Sequence, residues 1–528
     1  MDTILAGIGD AFTLMNFAYI AFGVFMGIMV GAIPGLNGPM AIAVAVPLTY
    51  YMDPLAAVAF LIGINKGGTF GGSISAILLN TPGSPESTST AFDGYPLVKK
   101  GKGMKALKMA LYSSVTGDIF SDLVLFTVAA PLALVALRMG PPEMAAVFAF
   151  SLTIIAGLSG KSMLRGLLAA ILGAFVACVG LDIETAQPRL TFGMGELIEG
   201  VPIIPLTINL FRFRGVTIRP LTIGLLALSE IIIQVEARVL GREKNVGTYN
   251  VFGKDIPPED KRVSWAEYRS CLRTIIRSAV IGTGVGAMPG IGAIVAGFLG
   301  YGAARRASSN PEEFGTGKLE GVAATEAANS AVVGANLIPL LALGIPGSLS
   351  AAILIGAFLM HGVDPGPLIF REHGRLVYGI FAAMFMANWI NFVIGNLGLR
   401  LFALIVSVPK SVIHPVVVLL CIAGAYANGN SMFAVAVMMV AAVFGYLMRK
   451  FDFSFATFII GFALGETFEQ SVRQSVILFK DQPLDLFTRP IVVFFVALTI
   501  FSVWRILRSN LSRPLRPQAA GAPREATS

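Results

Sequence analysis

Proline–glycine pairs stand inside the apolar runs of this chain at Pro34-Gly35, Pro82-Gly83, Pro289-Gly290 and Pro346-Gly347. Proline has no N–H to close a helical hydrogen bond and glycine relaxes the backbone, so each pair interrupts a helix and frees peptide groups. The constraint is severe because the surrounding runs read as membrane spans. The chain has 528 residues, 55% of them hydrophobic and only 13% charged. Its mean hydropathy of +0.76 lies outside the balance of a soluble globular protein. Apolar stretches close to the roughly 20 residues that span a bilayer recur near 11–33, 54–80, 106–137, 142–158, 163–181, 274–303, 323–343, 376–407, 411–427, 431–448 and 489–507. They predict an all-α polytopic membrane protein of about ten to twelve spans or half-spans. An unbonded peptide group in hydrocarbon costs several kcal/mol, so irregular backbone at membrane depth persists only where it is buried in protein or lines a watery cavity.

The interruptions are duplicated. GAIPGL at 31–36 answers GAMPGI at 286–291, and downstream Pro82-Gly83-Ser84 answers Pro346-Gly347-Ser348. Two matches in the same order point to an internal duplication rather than to isolated proline kinks. Loop charge gives its sense. After the early break of the first half the connector YYMDP has no Lys or Arg, whereas DGYPLVKKGKGMKALK after the late break is strongly basic. In the second half Arg305, Arg306 and Lys318 follow the early break, and the loop after the late break is less basic, softened only by Arg371 and Arg375. With basic loops facing the cytoplasm, the halves are inverted. The expected organisation is a first half over 1–240, a polar connector loop over 241–272, a second half over 273–508 and a Pro/Ala-rich disordered tail over 509–528.

The formal charge of +8 lies in short loops at helix ends, which is membrane topology and excludes nucleic acid as the partner. The first span lacks a basic leader region and reads as a retained anchor. Cys178, Cys271 and Cys421 and the histidines at 361, 373 and 414 have no ligand spacing. GLSGKS at 157–162 has Ile155 where a phosphate loop needs its first glycine, and FGGSISA lacks the glycine after Ser73 that a nucleophile elbow needs. No enzyme is expected.

A helix starting beyond an interruption offers free N–H groups and about half a positive charge, a receptor for a carboxylate. Small hydroxyl residues follow the late breaks: Ser84, Ser87, Thr88, Ser89 and Thr90 in the first half, Ser348 and Ser350 in the second. Carbonyls freed at Asn80-Thr81 or Gly344-Ile345 suit a small cation, so sodium at the Pro-Gly breaks is the metal expectation. Asn37, Asn65, Asn80, Asn329 and Asn336 lie in apolar surroundings, where ligand contact competes with helix–helix hydrogen bonding. Glu326 is a candidate proton or cation site. Lys66 is costly inside a span unless paired or facing water, and Glu86 is its candidate partner, substrate carboxylate and a snorkelling, loop-facing lysine being the alternatives.

The stretches VGAIPGLNGPMAIAVAVPLTYYMDP, GGTFGGSISAILLNTPGSPESTSTAFDGYPL, EFGTGKLEGVAATEAANSAVVGANLIPLLALGIPG and GVDPGPL closely resemble the large membrane subunit of the tripartite tricarboxylate transporters, the TctA-like proteins, over about residues 15–505. The resemblance implies an ion-coupled secondary transporter of the bacterial inner membrane. It would import a small di- or tricarboxylate delivered by a periplasmic solute-binding protein, beside a small four-span membrane subunit. It also implies a scaffold plus a moving transport region that holds broken helices and re-entrant hairpins. By that pattern the substrate-binding positions are Pro34, Gly35, Leu36 and Asn37; Asn80, Thr81, Pro82, Gly83 and Ser84; Pro289, Gly290 and Ile291; Pro346, Gly347 and Ser348; with Asn329 and Lys66. The ion-coupling positions are Asn80, Glu326, Asn329 and Gly344, the coupling ion is sodium or a proton, and no cofactor is expected. The chain departs from the pattern at Asn65-Lys66, Glu86, Ser330 and an inserted segment near 209–221. A dimer stays open, and so do a membrane channel and an intramembrane lipid-acting enzyme.

Overall fold

The computed structural model describes residues 2–33, 36–80, 83–157, 163–182, 187–192, 225, 228–240, 257–289, 292–405, 410–427, 432–480 and 482–511. The first half opens with α1 (Asp2–Ala11) and α2 (Leu14–Ala32), which ends at the first break. Beyond it α3 (Gly38–Ala45) leads through a tight helical turn, Val46–Tyr51, to α4 (Pro54–Leu79) and the second break. A short turn, Pro85–Thr88, α5 (Ala91–Lys99) and the 34-residue α6 (Gly103–Ala136) follow. Then come α7 (Pro141–Gly157), α8 (Met163–Ala177) and α9 (Ser229–Val239).

The second half repeats the order. α10 (Trp265–Gly286) meets the third break and α11 (Gly292–Ala307) follows it. α12 (Leu319–Ala335), extended by α13 (Leu337–Leu343), meets the fourth, and α14 (Leu349–Met360) precedes the 32-residue α15 (Gly374–Ile405). The chain closes with α16 (Lys410–Ala427), α17 (Met432–Lys450), α18 (Phe455–Leu478) and α19 (Pro490–Leu511). Among the described residues the only strands are the two-residue pair Gly180–Leu181 and Pro188–Arg189.

Close approaches between backbones fix the direction of each helix. Gly23, Gly27 and Gly31 of α2 face the carbonyls of Phe60, Ile64 and Gly68 of α4, so the numbers rise together and the two helices are parallel. The chain between must therefore return, and it does: Gly68 also touches Gly38, at the start of α3. α2 and α3 are thus a hairpin whose tip lies beside the centre of α4. In the second half Gly282 and Gly286 of α10 face Ala328 and Val332 of α12, again parallel, while Gly300 of α11 lies back at the level of Ser278 and Ala324. The same hairpin has formed twice.

The halves run in opposite senses. α6 is parallel to α12, since Gly117 meets Ala327 and Gly334 meets Asp122. α15 is parallel to α4, since Gly379 meets Leu55 and Asn388 bonds Lys66. α6 and α15 are antiparallel to each other, because Leu111 meets Gly395 while Asp122 bonds Asn388. α4 and α12 therefore point opposite ways, as loop charge predicts. Each long helix packs against the broken helices of the other half. The outer helices exchange too, α8 against α18 through Gly173 and Phe458, and α17 against α9 through Gly445 and Ser229.

Some expectations are corrected. The run 274–303 is two antiparallel helices joined at the third break, not one span. α18 is missing from the expected spans because Glu466, Glu469 and Arg473 dilute its apolar run. α10 begins inside the expected connector, at Trp265, where Ser264 and Glu267 form a capping box. α19 likewise extends into the expected tail, through Leu511. Segments 209–221, 241–256 and 512–528 lie outside the described residues.

The most apolar stretches of α4 and of α12–α13 are each 94% buried, against 33% for α2 and α6, so α4 and α12–α13 form the centre. Lipid tails give no hydrophobic drive between spans, and close packing through small residues replaces it. Gly67→Ala would press a methyl onto the Val24 carbonyl, whereas nothing surrounds Gly284. Gly67→Ala is expected to cost about 1–3 kcal/mol and lower the melting temperature of the purified protein, with Gly284→Ala neutral. Equal melting temperatures for the two variants would contradict this packing.

Candidate functional site

At the late breaks the two halves share a conformation. Asn80 and Gly344, equivalent in sequence, both adopt left-handed backbone, φ 51° and 72°. Asparagine and glycine are the residues that tolerate it, and each terminates its helix. Gly344 donates its N–H to the Leu340 carbonyl at 2.9 Å. Gly83 packs on the Gly31 carbonyl and donates to the Gly72 carbonyl at 3.3 Å, and Gly347 packs on the Gly286 carbonyl. Early and late breaks of each half therefore meet at paired glycines, where a side chain would push the backbones apart.

The polar residues at the breaks first satisfy the helix ends. Asn37 caps α3, its side chain accepting from the Met40 N–H at 3.0 Å, and the Leu36 N–H bonds the Ile33 carbonyl. Ser348 caps α14 through the Ala351 N–H at 3.2 Å and accepts from Asn336 Nδ2 at 2.8 Å. Ser84 Oγ lies 3.2 Å from Ser87 Oγ. Asn80 is exposed, Pro346 is buried and Pro289 is half-buried in the turn after α10. Pro34, Gly35, Thr81, Pro82, Gly290 and Ile291 lie outside the described residues.

Glu326 joins the halves. It is fully buried on α12, and its Oε1 accepts from Ser73 of α4 at 2.7 Å and from Thr90, beyond the second break. Ser73 also reaches Ser87 at 3.3 Å, which links the carboxylate to the first-half hydroxyl cluster. Glu326 Oε2 is buried without a partner, and so are both amide atoms of Asn329, one turn further along α12. Ser278 and Thr283 of α10 and Ser89 add buried hydroxyls in the same condition. Orphaned buried polar atoms are rare enough to need an explanation, and a site that binds an ion or a polar solute supplies one.

Lys66 is paired, but with groups other than Glu86. It does not meet Glu86, which lies in the turn Pro85–Thr88. Its fully buried ammonium donates to Asp122 Oδ2 at 2.7 Å and Asn388 Oδ1 at 2.6 Å, and lies 3.4 Å from Asp118 Oδ1. Asn388 Nδ2 closes the ring on Asp122 at 2.7 Å. One lysine against two aspartates leaves one formal negative charge, and the group ties α4 to α6 and α15. The sequence held the signal. Asp118 and Asp122, four residues apart, share a face of an otherwise apolar helix, where acids call for a partner. Ser73, considered only as a nucleophile, and Asn388 were also missed.

A family model described as "Tripartite tricarboxylate transporter TctA family" matches residues 17–216 and 212–460. An "Uncharacterized 52.8 kDa protein in TAR-I ttuC' 3'region" of Agrobacterium vitis is 31% identical over 497 residues, 94% of this chain and 94% of its own length. A second protein of that organism, "Uncharacterized protein in TAR-II ttuC' 3'region", is 32% identical over 222 residues, 42% of this chain and 92% of its own. No solved structure matches.

Removing one member of a buried ion pair strands the other charge. Lys66→Met is expected to destabilise the protein by about 3–5 kcal/mol. Adding Asp118→Asn and Asp122→Asn is expected to restore most of the loss in melting temperature. A triple variant as unstable as the single one would mean that the lysine stem, and not its charge, holds the three helices.

Proposed function

Because the chain belongs to the tripartite tricarboxylate transporter TctA family, we propose that it is the large membrane subunit of an ion-coupled importer of a small di- or tricarboxylate. In this reading a periplasmic solute-binding protein delivers the substrate, a small four-span subunit completes the complex, and the bacterial inner membrane is its location. The observation that carries the proposal is the joining of Glu326, on a second-half helix, to Ser73 and Thr90 of the first half, beside buried polar atoms that have no partner. Inverted halves whose broken helices meet at their centre suit alternating access around a fixed site.

Helix starts at Asn37 and Ser348 supply N–H dipoles for substrate carboxylates, Ser84 adds a hydroxyl at the turn Pro85–Thr88, and Leu36, Gly83, Pro289, Pro346 and Gly347 lie beside them. Asn80 and Gly344 offer carbonyls, and Glu326 and Asn329 the unpartnered atoms, to the coupling sodium or proton. Lys66 is left out of this set, since its ammonium donates to Asp122 and Asn388 and is ion-paired with Asp118. In this reading the hydroxyls of Ser73 and Thr90 on the Glu326 carboxylate serve binding and release of the coupling ion.

Proteoliposomes holding the complete complex, given a radiolabelled di- or tricarboxylate under separately imposed sodium and proton gradients, test the proposal. Accumulation above the external concentration under one gradient is expected. Glu326→Gln is expected to abolish that accumulation while leaving exchange of labelled for unlabelled substrate. Flux that never exceeds equilibration would make the protein a channel, and Glu326→Gln accumulating like the parent would remove the carboxylate from coupling.

A further inference from the structure

A cavity of about 440 Å³ opens where the start of α6, the end of α15 and the residues preceding α10 come together. Its wall carries Lys108, Lys261, Arg262 and Arg400, with Asn396 and Leu397 between them. None of the four cations has a hydrogen bond or ion pair with a described residue. Of the nearby acids, Asp260 is engaged by Lys102 and Lys105 at 3.4 and 3.9 Å and Glu267 by Lys105 at 2.8 Å, while Glu259 is exposed on the turn Pro258–Lys261 and pairs with none of the four. Arg262 and Arg400 lie close enough for their charges to act on the Lys108 ammonium. Four like charges gathered in one concavity without a counter-ion among the described residues repel one another, and an anion relieves the repulsion.

The position of the cavity identifies the anion. It lies at the ends of two spans, on the side of the basic segment Lys99–Lys102, where a bilayer crossed by those spans would place its headgroups. Leu397 is 79% exposed, and Val393, Leu401 and Leu404 continue an exposed apolar strip along α15. A soluble anion has no use for that strip, whereas an acyl chain does. Asn396 Oδ1 is buried and lacks a donor. A zwitterionic headgroup could supply one only by placing an ammonium among four cations, but a hydroxylated headgroup supplies one without charge.

We propose that this cavity binds the headgroup of an anionic phospholipid, its phosphodiester held by Lys108, Lys261, Arg262 and Arg400 and a headgroup hydroxyl donating to Asn396 Oδ1. Basic pockets between span ends are suited to such headgroups, and the apolar strip receives the acyl chain. The site is separate from the broken helices and does not depend on which substrate they carry.

Purified full-length protein in a neutral detergent, titrated with phosphatidylglycerol, phosphatidylcholine or inorganic phosphate while its melting temperature is followed, tests the assignment. Phosphatidylglycerol is expected to raise the melting temperature with a saturating dependence, and phosphatidylcholine and phosphate at equal concentration to leave it in place. Lys108→Gln with Arg400→Gln is expected to shift the phosphatidylglycerol midpoint about thirty-fold upward. Its melting temperature without lipid should not fall, because two repelling charges are gone, which separates lost binding from lost folding. Lys102→Gln, which removes a cation already paired with Asp260, is expected to keep the parent midpoint. Equal effects of the two lipids, an unshifted midpoint in the double variant, or protection by inorganic phosphate alone would each overturn the assignment.

Discussion

Peptide groups released inside an apolar interior must find partners, and that requirement governs the architecture. Residues at the first, second and fourth interruptions provide some of those partners themselves. Asn37 and Ser348 cap the helices that restart, Asn80 and Gly344 turn the helices that stop, and Gly83 bonds back to Gly72. These local solutions need neighbours at backbone distance. Hence the break-bearing helices α4 and α12–α13 occupy the centre, and glycines line the seams with α2 and α10. The paired hairpins, the cross-packing of α6 and α15, and the burial of Glu326 all follow from closing the same openings.

Much of this was legible in the chain because proline, glycine and loop charge act locally. The four interruptions, their duplication and the inverted sense need only short motifs and the placement of Lys and Arg. Helices whose polar residues face inward were harder to see. α18 carries Glu466, Glu469 and Arg473 within its length, and Arg473 and Glu469 pair there at 2.6 Å, so mean hydropathy understates it. The hairpin between α10 and α11 was hidden for the opposite reason, since a single apolar run shows no reversal of direction.

Side-chain partnerships separated by hundreds of positions were the least legible. Glu86 was the expected partner of Lys66, yet α6 and α15 bring Asp118, Asp122 and Asn388 to it instead. Glu326 could be recognised as an ionisable residue near a span, but its link to Ser73 and Thr90 exists only because α4 and α12 cross at the centre. Residue type announced that these groups needed company. Topology decided whose.

The lysine–aspartate ring has a counterpart in the other half. Counting from the equivalent glycines Gly83 and Gly347, Lys66 corresponds to Ser330, whose hydroxyl lies 2.5 Å from that of Ser114 on α6. Two inverted halves with identical side chains would leave a protein open to one side of the bilayer isoenergetic with its counterpart open to the other. A charged knot at one of two related seams and a pair of hydroxyls at the other deny this chain that equivalence, because the two seams differ in charge.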